Sequence, residues 1–238
     1  MKCLSSCRLP DRSSYIWYKN GQVIRSQTSS SYSVYLNRAD SFSCAVKGHE
    51  DFPSLPVYAP KVPSVSLSPS GEIKEGSSVT LTCSSDANPA AKYAWYKRTY
   101  QHYEFISEGR QLVFSSIQSS DSGYYYCTAE NTLRKTTSES IFIDVTYAPK
   151  LPSVSVSPSG EIIEGSSVTL TCSSDANPPA KYTWYKKNVN PDLQPLSKEP
   201  QLVFSSIQSS DSGEYYCTAE NQLGKRTSEY IFIDVKCE

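Results

Sequence analysis

The chain is 238 residues long, enough for two domains of ordinary size and part of a third. Its formal net charge of −1, from 23 basic and 24 acidic residues, excludes the strongly basic surface of a protein that binds nucleic acid or anionic lipid. No apolar run reaches the roughly 20 residues of a membrane span, and frequent Ser, Tyr and Pro favour short strands and polar turns over long helices.

Eight cysteines are spread along the chain at long intervals. None belongs to a C-x-x-C pair of the kind that binds metal or carries out redox chemistry. Such spacing is typical of disulfides formed in an oxidising compartment, and the alternative is a set of unpaired cytosolic thiols. Because the N-terminal sequence MKCLSSCRLP has no apolar signal-peptide region, we expect the chain to be a fragment of a longer exported protein.

Residues 1–57 are a divergent and shortened copy of a pattern that the rest of the chain contains twice. Trp17 and Cys44 align with a tryptophan and a cysteine of the next copy. Only two residues precede Cys3, whereas the next copy has 20 residues from Pro63 to its first cysteine. The first strand and most of the second are therefore missing, which should leave this copy marginally stable. We expect a shortened gene model or an alternative transcript rather than a designed half-domain.

Residues 58–146 and 147–238 are two consecutive copies of one unit, offset by 89 residues. The segment YAPKVPSVSLSPSGEIKEGSSVTLTC of the first copy returns almost unchanged in the second. A period of this length matches a whole duplicated domain rather than a solenoid repeat. We therefore predict three domains, at residues 1–57, 58–146 and 147–238.

Apolar and polar residues alternate in short segments of each repeat, as half-buried β-strands require. In SVTLTC, the residues Val79, Leu81 and Cys83 share one face, and in QLVFSSI, Leu112 and Phe114 do the same. Pro, Gly and Asn-Pro pairs between these segments supply the turns. We predict an all-β fold in which two antiparallel sheets pack face to face.

Each repeat carries a cysteine, a tryptophan twelve residues later, and a second cysteine in the motif DSGxYYC. The two cysteines are 44 residues apart in one repeat and 45 in the other. This order resembles that of immunoglobulin-superfamily cell-surface domains, and the resemblance covers the whole chain. The spacing implies tandem C2- or I-type immunoglobulin-like sandwiches, without the extra strands of a variable-type domain, the first of them truncated at its N-terminus.

The resemblance implies a disulfide across the two sheets of each domain, a tryptophan packed on it, and a tyrosine corner two residues before the second cysteine. In similar receptors the C-x-x-x-C before a tryptophan starts with the bridging cysteine, which favours Cys3 over Cys7. Phe42 takes the corner position of the first domain, where the corner hydrogen bond is therefore absent. The implied pairs are Cys3–Cys44, Cys83–Cys127 and Cys172–Cys217, with core tryptophans Trp17, Trp95 and Trp184 and corner tyrosines Tyr125 and Tyr215.

Two cysteines, Cys7 and Cys237, remain outside these pairs. Cys237 falls at the position of a domain junction, where it could pair with a cysteine of a following domain that is absent from this chain. A disulfide between Cys7 and Cys237 would require the array to fold back on itself. Short, proline-bearing linkers around the YAPK segments, which we expect to hold the domains end to end, oppose that.

More narrowly, IWYKNGQ, SCAVKGHEDFPS and the SPSGEI repeats resemble the C2-type spacer domains of a fish Siglec-like inhibitory co-receptor of B cells. This implies the extracellular part of a plasma-membrane receptor, with the transmembrane segment outside this chain, that acts as a spacer and possible protein-binding array. The partner would be a protein or glycoprotein on another cell or in cis. Fc-receptor-like and adhesion molecules with direct binding through loops are the alternative.

Siglecs hold sialic acid through an arginine on strand F of their terminal variable-type domain, one residue beyond the position of the second cysteine. The matching positions here are Ala45, Thr128 and Thr218. None of these side chains can pair with a carboxylate. We therefore expect no sialic acid to bind these domains by that mechanism.

Two segments are candidate binding loops. VKGHEDF follows the second cysteine of the first domain, where the alternative is a solvated turn. RTYQHYEF, residues 98–105, replaces NVNPDLQP of the sister repeat; exposed aromatic residues favour interfaces, although they could instead cover a sheet edge. The candidate residues are His49, Glu50 and Asp51 in the first segment and Tyr100, His102 and Tyr103 in the second.

The sequence does not indicate an enzyme. Its two histidines lie in different domains, and neither has a nucleophile motif nearby. Adjacent loop residues such as 49–51 rarely converge on one metal, so we expect no metal, cofactor or small-molecule substrate. An intracellular structural array of the muscle type is the remaining alternative. It would leave the cysteines reduced, and the absence of an N-x-S/T sequon slightly favours it.

Overall fold

The protein divides into two compact units, Met1–Asp144 and Val145–Glu238. The structure, a computed structural model, describes residues 1–10, 12–35, 37, 39–99, 102–187 and 194–237. In these residues nearly all regular structure is β-strand, with short 3₁₀ helices at Ser119–Asp121 and Ser209–Asp211. No helix in the described part of the chain has the length and apolar character that a bilayer crossing needs.

The strands of the first unit are β1 Tyr15–Lys19, β2 Gln22–Ile24, β3 Ser41–Val46, β4 Val57–Tyr58, β5 Ser64–Ser68, β6 Ile73–Lys74, β7 Val79–Ser84, β8 Lys92–Arg98, β9 Tyr103–Glu108, β10 Gln111–Phe114, β11 Gly123–Glu130, β12 Lys135–Thr137 and β13 Ile141–Ile143. Those of the second unit are β14 Val145–Thr146, β15 Ser153–Ser157, β16 Ile162–Ile163, β17 Val168–Ser173, β18 Lys181–Lys186, β19 Gln201–Phe204, β20 Gly213–Asn221, β21 Gly224–Thr227, β22 Ile231–Ile233 and β23 Val235–Lys236.

The N-terminal segment of the first unit forms one antiparallel sheet in the order β2-β1-β3-β4. Trp17 of β1 stands opposite Cys44 of β3, and these two residues and Cys3 form a small buried core. Upstream of β1, the described residues contribute no strand and a single isolated β-bridge, between Lys2 and Ser31. This domain therefore buries far less apolar surface than the repeats that follow it.

The first full repeat is a sandwich of two sheets. One has the order β5-β7-β10; in the other, β9, β8 and β11 are neighbours, and both β12 and β13 pair with β11. Val79, Leu81 and Cys83 of β7 are completely buried while the threonines between them are not, which is the expected two-residue period. Trp95 stands opposite Cys127 in register, in the centre of the larger sheet.

The second full repeat, in the second unit, has the same plan. Its sheets are β15-β17-β19 and β18-β20-β21, with β22 also on β20, and β16 pairs in parallel with β23. Val168, Leu170 and Trp184 are completely buried in a core that both sheets share. At the edge of β18 that does not pair with β20, the described residues form only an isolated β-bridge, between Trp184 and Ser197. The corresponding edge in the first repeat pairs with the whole of β9.

The turn before the long strand of each repeat is built by a tyrosine corner. The hydroxyl of Tyr125 donates to the backbone oxygen of Asp121 (2.7 Å), and Tyr215 does the same to Asp211. Gly123 follows this turn with φ +148°, and a Cβ atom there would lie 2.9 Å from Cε of Lys97. Glycine is therefore favoured by the backbone angle, whereas the lysine that lies against it could move aside.

The predicted all-β fold with facing antiparallel sheets is confirmed. The three domain boundaries stay a prediction, because the two compact units divide only at Asp144.

Candidate protein-binding surfaces

Three disulfides join the cysteine pairs that the resemblance to immunoglobulin domains implies. They connect Cys3 with Cys44, Cys83 with Cys127 and Cys172 with Cys217. All six cysteines are buried. Cys7 and Cys237 are free and exposed.

The three core tryptophans are buried but differ in hydrogen bonding. The indole of Trp17 donates to the backbone oxygen of Ser29 (2.8 Å), and that of Trp184 to Pro200 (3.3 Å). The equally buried indole nitrogen of Trp95 has no acceptor among the described residues. An unsatisfied buried donor costs about 1–3 kcal/mol, so the first repeat tolerates a polar defect that its sister avoids.

The segment with His49, Glu50 and Asp51 is a compact exposed turn. Its backbone is closed by a hydrogen bond from the nitrogen of His49 to the oxygen of Val46 (2.9 Å). The carboxylate of Glu50 accepts from the nitrogen of Gly48 (2.9 Å), which holds the pKa of that carboxyl below its usual value. The three side chains belong to no metal-binding group among the described residues. The contacts are those of a self-contained turn.

The second candidate segment connects β8 and β9, which pair as an antiparallel hairpin. The sequence left open whether its aromatic residues lie in an exposed loop or cover a sheet edge, and the structure places Tyr103 on the edge strand β9. β8 ends at Arg98, and β9 begins at Tyr103. Between them, Thr99 donates its hydroxyl to the backbone oxygen of His102 (2.7 Å) and receives a bond from the nitrogen of the same residue (3.2 Å). Tyr100 lies outside the described residues. The alternation of Tyr103 and Phe105 in YEFISE was the signal for a strand.

This hairpin places aromatic rings on the outer side of the larger sheet. We call Tyr96, Tyr103, Phe105 and Tyr126 the aromatic face. Tyr96 and Tyr126 stack with centroids 5.2 Å apart, Tyr103 meets Tyr126 edge-on at 5.5 Å, and Phe105 meets Tyr96 at 5.8 Å. Tyr103 is 64% exposed and Phe105 54%. A preformed cluster of this kind offers apolar contact at little entropic cost.

A lysine borders the aromatic face. The ammonium of Lys135 lies 5.5 Å from the ring centroid of Tyr96 and 3.4 Å from its hydroxyl, and 3.9 Å from the carboxylate of Glu130. Partial burial raises the pKa of Tyr126, and its neighbours Tyr103 and Tyr96 add to the shift. The face is therefore apolar in the middle and charged at its edge, as protein interfaces commonly are.

On the same side of the larger sheet in the second repeat, a lysine is paired with a carboxylate of its own repeat. Tyr185 and Tyr216 stack at 5.2 Å, as their counterparts do. The ammonium of Lys187 lies 2.7 Å from the carboxylate of Glu214 and 4.7 Å from the ring of Tyr230. The hydrogen bond from Lys187 to Glu214 raises the pKa of the lysine.

The residues at the positions that correspond to the sialic-acid arginine of Siglecs lie on strands and are shielded from solvent. Ala45, Thr128 and Thr218 are all buried. None presents a cation to solvent.

The linker ahead of the first repeat is held by that repeat, a feature that the sequence analysis missed. The hydroxyl of Tyr58 donates to Asp86 (2.7 Å), and the ammonium of Lys61 lies 2.8 Å from the same carboxylate. These contacts, that of Lys61 first, hold the pKa of Asp86 below its usual value. The backbone of Tyr58 also bonds that of Asn88 (2.7 Å) and accepts from the side chain of Asn131 (2.9 Å).

The second repeat holds its own YAPK segment in the same way. Tyr147 and Lys150 both contact Asp175 at 2.7 Å, and the side chain of Asn221 donates to the backbone oxygen of Tyr147 (2.9 Å). The recurrence of YAPK and SSDANP at one fixed offset was the signal that could have revealed this contact.

A family model for the immunoglobulin domain matches residues 62–131 and 152–221. Among curated proteins, the chain is similar to B-cell receptor CD22 of Mus musculus, with 34% identity over 238 residues that cover 93% of this chain and 26% of that protein. It is also similar to myelin-associated glycoprotein of Homo sapiens, with 31% identity over 192 residues, or 80% of this chain and 30% of that protein. The chain thus spans less than a third of the length of either relative.

Among solved structures, the chain is similar to the full ectodomain, Ig1 to Ig3, of mouse nectin-like molecule 4. The TM-score is 0.58 at 20% sequence identity, and the match covers 97% of this chain and 93% of that one. At this identity the likeness concerns the fold alone.

Proposed function

Because the chain belongs to the immunoglobulin-domain family, we propose that it is part of the extracellular region of a cell-surface adhesion receptor or co-receptor. In this region the repeats serve as a spacer, and the first repeat carries a surface for a protein or glycoprotein on another cell or in cis. The similarity to CD22 and to myelin-associated glycoprotein supports this class of protein. The chain is a binding protein and not an enzyme.

The observation that carries the proposal is the set of three buried disulfides, one in each predicted domain. Disulfides of this kind persist in extracellular proteins and are reduced in the cytosol. A buried half-cystine behaves as a core residue, so each bridge connects the strands on which the domain depends. An intracellular structural array would have no use for them.

The spacer role is supported by the linker contacts. Tyr58 and Lys61 are fixed to Asp86, and Tyr147 and Lys150 to Asp175, within their own units. Each YAPK segment is thus fixed to the repeat that follows it. These exposed ion pairs contribute little to stability, and their effect is on geometry.

Protein binding is supported by the aromatic face. Three ring contacts connect its four rings, and two of the rings are more than half exposed, which gives a contiguous apolar surface of the kind that marks protein interaction sites. We expect no sialic acid to bind through the sheet position used in Siglecs, because Ala45, Thr128 and Thr218 are buried and uncharged.

The test is a disulfide map of the 238-residue chain secreted from a eukaryotic host. Alkylation without reduction, followed by peptide mapping, should find the three bridges intact and only Cys7 and Cys237 modified. The matched control is the same chain produced in a reducing cytosol, which we expect to be poorly folded. Folded, monodisperse material with eight alkylatable thiols would contradict the proposal and favour the intracellular array.

A further inference from the structure

A cleft beside the aromatic face has no assigned role. It has a volume of about 640 Å³ and lies between the end of β8, the start of β11 and β13 of the first repeat. The lining residues are Lys97, Arg98, Thr99, Ser122, Gly123, Tyr124 and Phe142. Two of the seven are cations, two are aromatic, and none is an acid.

The aromatic side of the cleft is a preformed pair of rings. Tyr124 and Phe142 have centroids 4.8 Å apart, and each ring residue is half exposed. Tyr124 stands directly opposite Arg98 in the antiparallel register of β8 and β11. Since cross-strand partners share one face of a sheet, the guanidinium and the phenol ring belong to the same outer surface.

The two cations of the cleft have no carboxylate partner among the described residues. The ammonium of Lys97 donates to the backbone oxygen of Ser120 (2.9 Å) and lies 5.4 Å from the ring of Tyr125. Glu104 stands opposite it in register, yet no ion pair joins them in the described part of the chain. Arg98 is exposed and has no ion-pair partner among the described residues either. A guanidinium beside aromatic rings suits the planar recognition of a carboxylate.

The sister repeat indicates what this site accepts. Lys187 occupies the place of Arg98, and Glu214 that of Tyr124. There the carboxylate of Glu214 lies 2.7 Å from the ammonium of Lys187. In the first repeat the cation is kept, while the internal carboxylate is exchanged for an aromatic ring.

We propose that the cleft at Arg98, Tyr124 and Phe142 binds an aspartate or glutamate side chain of a protein partner, with the carboxylate on Arg98 and a neighbouring apolar group on the two rings. The ligand carboxylate gives Arg98 the charged partner that Glu214 gives Lys187 within the second repeat. That precedent is an amino-acid carboxylate, which points to an acidic segment of a protein as the occupant. The inference rests on the proposed function only for the presence of a protein partner.

The test is an NMR titration of the full, isotopically labelled chain with the peptide acetyl-Gly-Phe-Glu-Gly-amide. We expect saturable shifts of the Gly123 amide and the Arg98 side-chain N–H, with weak affinity for so short a probe. Replacing the glutamate of the peptide by glutamine should weaken binding about tenfold or more, because the charge-assisted pair is lost. Equal binding of both peptides, or shifts confined to other surfaces, would overturn the proposal.

Matched variants separate binding from folding. R98Q should lower the affinity for the glutamate peptide about tenfold. Y124E should abolish binding, because the new carboxylate would pair with Arg98 as Glu214 pairs with Lys187 in the sister repeat. The double variant K187R with E214Y should open the equivalent site in the second repeat. An unchanged amide spectrum away from the cleft verifies the fold of each variant. Binding that survives both R98Q and Y124E would contradict the assignment.

A further titration with N-acetylneuraminic acid distinguishes the source of the carboxylate. Shifts at the cleft with this sugar and none with the peptide would overturn the choice of a protein ligand. If the secreted chain carries its three disulfides and yet neither probe binds, the cleft proposal fails while the receptor proposal stands.

Discussion

The two full repeats are almost the same sequence on one sheet and different on the other. SSVTLTCSSDANP and QLVFSSIQSSDSG are identical in both and build the smaller sheet, its turns and the tyrosine corner. Most substitutions fall on the larger sheet and its edge, including Arg98, residues 102–106, Tyr124, Arg134 and Ser140. Duplication has thus preserved one half of the sandwich as scaffold and varied the surface of the other half.

The altered half carries a cost that the sister repeat does not. In the first repeat β9 adds a full edge strand and two rings of the aromatic face, but the buried indole nitrogen of Trp95 has no acceptor within the described part of the chain. In the second repeat, the backbone oxygen of Pro200 accepts from Trp184. A buried donor without an acceptor, beside an outer face that lacks the ion pair of its sister repeat, is typical of a site retained for binding rather than for stability.

Removal of the disulfides should show that the scaffolds are equivalent. We expect C83A with C127A, and C172A with C217A, each to lower the free energy of unfolding of its own repeat by about 2–5 kcal/mol, because the closed loops have nearly the same length. Urea unfolding followed by hydrogen exchange of β7 and β17 peptides measures each repeat separately. A loss in one repeat several times that in the other would show that the scaffolds are not equivalent.

The tyrosine corners predict a shared alkaline transition. Burial raises the pKa of Tyr215 to about 12 from its unfolded value of 10.0, with Asp211 adding to the shift, and the pKa of Tyr125 is raised further for the same reason. A neutral buried phenol stabilises the fold fully below pH 10.0, and this contribution is lost as the pH rises through the folded value. Both repeats should therefore lose stability progressively above that pH.

Absorbance of ionised tyrosine and circular dichroism, recorded together from neutral to strongly alkaline pH, check this. Y125F and Y215F are the matched variants; each should cost about 1 kcal/mol at neutral pH, since the bond to Asp121 or Asp211 is lost, and should remove one late-titrating phenol. If all tyrosines titrate together near pH 10.0 in folded protein, the burial argument is wrong.

The tryptophans give the smallest expected difference. W184F removes the hydrogen bond from the indole to the backbone oxygen of Pro200. W95F removes no such bond, because the indole of Trp95 has no acceptor among the described residues. We expect W184F to destabilise its repeat by about 1 kcal/mol more than W95F does, from the same exchange measurement. A larger loss for W95F would mean that its indole N–H is satisfied in solution.

The sequence predicted what depends on short-range patterns. The two-residue period of VTLTC, the cysteine and tryptophan spacing and the DSG turn were enough for an all-β sandwich. The contacts it missed join residues far apart in the chain. Asp86 meets Tyr58 across 28 positions, and Tyr124 stands beside Arg98 only because β11 pairs with β8. Such neighbours follow from strand register, which a single sequence does not reveal.

The sequence left the place of the aromatic residues in RTYQHYEF open for a different reason. Their divergence from the sister repeat is compatible both with an exposed loop and with a sheet edge. Tyr103 and Phe105, however, alternate with polar or half-buried residues and lie on β9. Edge strands tolerate such variation because only one of their sides is paired.

The most direct test of the account is cell binding by the secreted chain. Tetramers of the 238-residue protein would be applied to a panel of cell lines and scored by flow cytometry, alongside the variant Y103S with F105S in the first repeat. The matched control is Y230S with F232S in the second repeat, where both aromatic residues are also more than half exposed. We predict binding that the first pair of substitutions abolishes and the control pair leaves intact. Binding lost only with the control pair, or no binding by the correctly disulfide-bonded wild type, would contradict the assignment of the ligand surface to the first repeat.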